Sequence, residues 1–96
     1  MAQDIDGLMA LYAANAVFVL PVGAVCKGER AICALHEEAF RAHWPTPEPR
    51  STLVAAASAS VECEAFLPDG SIRHTANFFY FDERNRIERL VVYRQD

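Results

Sequence analysis

Two side chains in this sequence could move a proton or polarise a carbonyl from an apolar setting: His36 and Asn77. His36 lies in "KGERAICALHEEAF" beside Leu35 and Phe40. An unperturbed imidazole titrates at about 6.5, which makes it the one candidate here able to take a proton near neutrality. The same surroundings equally suit a satisfied, partly buried histidine, and that is the commoner occupant of such a position. Asn77 lies in "TANFFYF" among Phe78, Phe79 and Phe81. A buried amide left unpaired costs about 1–3 kcal/mol, so Asn77 requires a partner. A ligand and a neighbouring backbone group are both open.

His36, Glu37 and His43 invite a metal reading. Their spacing is not H-E-x-x-H, Glu37 projects about a hundred degrees round the helix from His36, and no third ligand is evident. No metal and no cofactor are expected. Trp44, after the helix, suits rim packing better than a ligand stack. Cys63 shares its side of a strand with Val61 and Ala65 and has no cation near it, so it reads as a small apolar wall residue.

These residues need elements to position them. Ile5, Leu8, Met9 and Tyr12 recur at helical spacing, with Asp4 and Asp6 placed to cap or complement the helix start. Val17 to Leu20 reads as a strand that Pro21 and Gly23 bend before it resumes at Val25 to Lys27. After Gly28, the apolar residues Ile32, Leu35, Ala39 and Phe40, with His36 and His43, follow the i, i+3, i+4, i+7 rule of a long helix. Pro45, Pro47 and Pro49 end it and form a stiff connector. The remainder reads as an antiparallel meander of three or four strands, with turns at "PDG" (68–70) and "DERN" (82–85). "LVAAASAS" is its weakest strand. Strand alternation then assembles a small-molecule pocket, with Leu20, Cys63, Asn77, Phe79, Leu90 and Val92 on the sheet side. Tyr12, His36 and Phe40 line the helix side.

Composition bounds the function. The 96 residues form one domain, residues 1–96, whose folding hides only about two thirds of the surface the unfolded chain exposes. Apolar residues make up 52% and charged residues 23%, an ordinary globular balance. A net charge of −4 and a pI near 5.3 argue against nucleic acid or an anionic membrane as partner. Five of the nine cations follow residue 72, but Asp82, Glu83, Glu88 and Asp96 interleave with them, as on a solvated hairpin face. Cys26, Cys33 and Cys63 form no C-x-x-C pair and leave an odd thiol, which favours a reducing, cytoplasmic setting. No signal peptide or membrane-length apolar run is read in the sequence.

The order of elements, with "DIDGLMALYAANAVFVLPVG", "KGERAICALHEEAF" and a closing "FFYFDERNRIERLVVY", resembles the nuclear transport factor 2-like (NTF2-like) superfamily, in its SnoaL-like and ketosteroid isomerase-like branch. The resemblance covers nearly the whole chain. It implies an α+β fold, a cone-like curved antiparallel sheet packed on two helices with an apolar pocket between them, and frequent dimers. It also implies a further helix of about twenty residues ahead of Met1, an ordinary length for the element, which in the isomerases supplies a tyrosine oxyanion donor.

In the ketosteroid isomerases the residue before Pro-Val-Gly is the carboxylate that abstracts the proton. Here it is Leu20, which cannot accept one. The oxyanion-stabilising acid of those isomerases corresponds to Asn77, whose amide can still donate to a carbonyl oxygen. The supporting tyrosines correspond to Tyr12, which is kept, and to His36, which replaces one. The expectation is a homodimeric domain that binds a small apolar or carbonyl-bearing molecule without ketosteroid isomerase activity. Two alternatives stay open: an enzyme of the cyclase, dehydratase, hydrolase or isomerase kind using His36 and Asn77, and a dimeric interaction module.

Overall fold

A computed structural model describes residues 5–95; the cap expected at Asp4, and Asp96, lie outside it. The elements run α1 (Ile5–Met9), β1 (Tyr12–Val19), β2 (Val25–Lys27), α2 (Glu29–Arg41), β3 (Glu48–Val54), β4 (Ser58–Phe66), β5 (Ile72–Phe81) and β6 (Ile87–Gln95). One six-stranded sheet holds the strands in the order β2-β1-β6-β5-β4-β3. The α+β architecture and the two helices are those expected from the sequence.

The sheet is mixed, because β1 and β6 run parallel while every other pair is antiparallel. The alternation of a half-buried strand marks its two faces but not the direction of its neighbour, so this pairing is invisible along the sequence.

Tyr12 begins β1 rather than continuing α1. Its spacing from Met9 fits a helix, but Ala13 and Ala16 are buried as well, and Ala16 is wholly shielded. β1 joins β6 irregularly, with a register shift between Tyr12 and Val17. The small side chains in that stretch leave room for α2, whose approach is fixed where the Gly28 N–H donates to the Ala16 carbonyl at 2.8 Å.

The "LPVG" segment is a hairpin rather than a bend. β2 folds back antiparallel on β1, with Val19 opposite Val25. The Gly23 N–H donates to the Leu20 carbonyl at 2.9 Å and the Leu20 N–H to the Ala24 carbonyl at 2.8 Å. Gly23 has a φ of 88°, a left-handed conformation that lets a three-residue loop close. "LPDGS" and "DERNR" repeat the design, with Gly70 at φ 88° and Asn85 at φ 60° in the corresponding place. Asp82 secures the last of these turns by accepting the N–H groups of Arg84 and Arg86.

α2 ends in a Schellman motif. The Trp44 N–H donates to the Ala39 carbonyl and the His43 N–H to that of Phe40, while His43 takes the left-handed position at φ 54°. The proline connector is shorter than expected. Pro49 lies inside β3, which it can do because β3 is an edge strand and needs no N–H on its outer side. "LVAAASAS" divides in the same way: Leu53 and Val54 finish β3, residues 55–57 turn, and Ser58 opens β4.

The core gathers Tyr12, Ala13, Ala16, Phe18, Ile32, Ile87 and Leu90, with Leu20, Leu35, Phe79 and Val92 packed against it. Phe40, which the helical spacing puts on the apolar face of α2 and on the helix side of the pocket, is only partly buried at the far end of the helix. The helix packs on β1 and β2. It lies on the face of the sheet that carries Phe18, whose ring meets the His36 ring edge-on at 6.0 Å.

Candidate functional site

Pairing register sets the sheet wall of the site. Phe18, Leu90, Phe79 and Ala59 form one row across β1, β6, β5 and β4. Val92, Asn77 and Val61 form the next, and Cys63 lies opposite Thr75 in the one beyond. Leu90, Val92, Phe79, Asn77 and Cys63 therefore share the helix-bearing face, as strand alternation predicts.

Under α2 the functional candidates are Tyr12 and His36. The Tyr12 hydroxyl and His36 Nε2 share a hydrogen bond of 3.0 Å, and their rings lie 5.7 Å apart. Burial pushes the Tyr12 phenol up to about 12 and holds the His36 imidazole below its ordinary value. Both groups are thus neutral at pH 7. In one tautomer Nε2 accepts the phenol proton and in the other it donates to the phenol oxygen. Either way that nitrogen is occupied. Tyr12 reaches this position from β1, not from the helix side where the sequence placed it.

Asn77 sits further out, half-buried, and its Nδ2 donates to Cys63 Sγ at 3.2 Å. The partner is a side chain, where the sequence left a choice between ligand and backbone. A thiol sulfur is a weak acceptor, so the amide is only lightly held. Cys63 is 6% exposed and lines the wall as expected. The structure thus joins Tyr12 to His36 and Asn77 to Cys63, as two separate pairs. Neither pair is tied to the other by a hydrogen bond among the described residues.

Leu20 closes β1. Its backbone makes the hairpin bonds and its side chain packs partly buried against the core. Grooves of about 400 and 250 Å³ touch the expected pocket residues only at Cys63 and Phe79 respectively. Among the described residues no cluster of His, Cys, Asp and Glu could hold a metal ion. His43, the other histidine considered for one, is exposed and serves as the helix stop. Pro45, two residues on, is the sequence signal of that role. The acceptor role of Cys63 had no such signal, because it depends on which residues β4 and β5 place side by side.

No family model and no curated relative matches the chain. Solved structures do. An NTF2-like protein of unknown function from Mesorhizobium loti superposes with a TM-score of 0.85 at 22% identity, over 97% of this chain and 79% of that one. A putative polyketide cyclase from Sinorhizobium meliloti gives 0.79 at 28% identity, over 93% and 81%. A steroid delta-isomerase from Pseudomonas aeruginosa gives 0.80 at 19% identity, over 97% and 69%. Together with the sheet order and the helix lying over one end of it, these likenesses show that the chain has the NTF2-like fold.

Proposed function

We propose that this chain is a small-molecule-binding domain whose ligand is a compact apolar molecule bearing a carbonyl, and that it does not isomerise ketosteroids. The observation that carries this reading is the setting of Asn77. Its amide lies in a row between Val92 and Val61, close to Phe79, and its Nδ2 is engaged by a weak sulfur acceptor. A ligand carbonyl is a stronger acceptor and would gain by taking the place of the sulfur, while the apolar row accepts the ligand's body. Leu20 supplies no base, and His36 Nε2 is occupied by Tyr12. We further propose that the domain works as a homodimer in the cytoplasm. Leu53, Val54, Phe66 and Tyr93 are large exposed apolar residues, and its three cysteines are free.

Calorimetric titration with a steroid enone and with the matching steroid hydrocarbon tests the binding. The enone is expected to bind about tenfold more tightly, and Asn77→Leu to erase that preference. Equal affinities in the unmodified chain would remove the reading. A β,γ-unsaturated steroid ketone tests the chemistry. No turnover is expected unless Leu20→Asp restores a base, and turnover by the unmodified chain that survives His36→Ala would contradict the site assignment.

A further inference from the structure

The strands from β3 to β6 sort their charges by face. Glu48 stands opposite Glu64 and Glu64 opposite His74, while Glu62 stands opposite Ala76, the chain neighbour of Asn77. Alternation therefore puts all four of these titratable residues on the face away from α2. Arg50 belongs to that face too, because its guanidinium holds Glu64 at 2.7 Å and Glu48 at 3.1 Å. Arg89 lies over the Tyr80 ring there, and Glu88 lines a groove with both. Among the described residues of these four strands, the helix-bearing face is left with Arg73 and Arg94 as its charged side chains, and both are positive.

The two cations stand at one end of that face. From the apolar row of Phe79, β5 presents Asn77, then Thr75, then Arg73, and Arg94 stands opposite Thr75 on β6. Successive rows on one face lie about 7 Å apart. The wall thus passes from rings through an amide and a hydroxyl to guanidinium groups. Arg73 is partly buried, and Ala65 opposite it is 7% exposed. Arg41, Arg50 and Arg86 each have a carboxylate partner. The Arg73 guanidinium makes no hydrogen bond or ion pair among the described residues. It has given up part of its hydration with nothing in return, so an anion that reaches it gains a charge-assisted bond. β5 lies between β4 and β6, which take up its backbone N–H groups. What this end offers is a side-chain fork, which matches a carboxylate, rather than the run of backbone N–H groups that cradles a phosphate.

We propose that the ligand of the Asn77 site is an acid: an apolar ketone whose chain continues beyond the carbonyl for one to two rows, about 7–14 Å, to a carboxylate that Arg73 binds. Arg94 adds a second positive charge in the intervening row. The inference rests on the ketone site proposed above and extends it by naming the far end of the molecule.

The probe is a naphthyl ketone with a carboxylate on a chain of about six methylenes, a span of about 10 Å, compared with its methyl ester by calorimetric titration at low salt. The acid is expected to bind about tenfold more tightly than the ester, even though a chain of net charge −4 repels anions at long range. The preference should shrink as salt rises. Arg73→Met should remove it and Arg73→Lys should restore part of it. Arg89→Met, which deletes a cation from the opposite face, should leave it unchanged. Equal affinities for acid and ester that both fall in Asn77→Leu keep the ketone site and overturn its anionic end. An acid preference that survives Arg73→Met overturns that end as well. An acid preference that Arg73→Met removes, in a chain where Asn77→Leu changes neither affinity, overturns the ketone reading and with it the ligand class proposed here. Binding of neither compound overturns both. If Arg73→Met fails to fold by circular dichroism, the acid–ester comparison and the salt series on the unmodified chain decide.

Discussion

At one end of the sheet, Ala16, Phe18 and Leu90 close around Ile32, which no solvent reaches; at the other end, every residue of β3 is exposed. Both regions belong to one continuous hydrogen-bonded sheet and both are rich in small and apolar residues. The difference is α2, which packs on β1 and β2. Cohesion therefore concentrates where the helix lies. The far half is where the proposed ligand site lies, and binding elements are drawn from the less cooperative parts of a fold. Asn77 stands between the two regimes, half-buried and lightly bonded.

The contrast can be broken most forcefully at Ile32. Ile32→Ala removes a fully buried side chain and is expected to cost about 2–5 kcal/mol in urea unfolding. Leu53→Ala, at the bare end, should change monomer stability by less than about 0.5 kcal/mol. Comparable losses at the two positions would show that the halves are equally cohesive.

Tyr12→Phe comes next. It leaves His36 Nε2 without its partner and should cost about 1–3 kcal/mol by thermal unfolding. His43→Gly should act in the opposite direction and gain about 1 kcal/mol, since glycine takes the left-handed helix stop without the penalty a side chain incurs. No gain would mean that the ring of His43 contributes more than its backbone costs.

The smallest effect lies in pH. Burial holds His36 below its ordinary value, so as pH falls the unfolded chain takes up that proton first. Stability is full above the unfolded value of 6.5 and declines as pH drops through it toward the folded value. His36→Phe should flatten the decline below pH 6.5. An unchanged slope would assign it to other groups.

Much of this organisation is legible in the sequence. Ile72 to Phe81 is read as β5 at its observed bounds, because aromatic and β-branched residues fill it and clear turn signals flank it. The turns at 68–70 and 82–85 follow from Gly70 and Asn85. What is not legible depends on partners distant in the chain. Tyr12 has helical spacing from Met9, yet tertiary pairing draws it into β1. The reversal at "LPVG" is the same loop that "LPDG" makes, but it is followed by only three strand residues and so reads as a bend. The parallel joining of β1 and β6 has no local signature at all. The candidate wall residues were found together because alternation is local, whereas the division into a Tyr12–His36 pair and an Asn77–Cys63 pair depends on how far α2 extends over the sheet.

The central claim, that the ligand belongs to the lightly held face around Asn77 rather than to the space under α2, is tested most directly by a backbone-amide NMR titration with a steroid enone. Saturable shifts should centre on Val61, Cys63, Asn77 and Val92 and weaken toward Tyr12 and His36. Shifts centred on Tyr12 and His36, or none that saturate, would contradict the account.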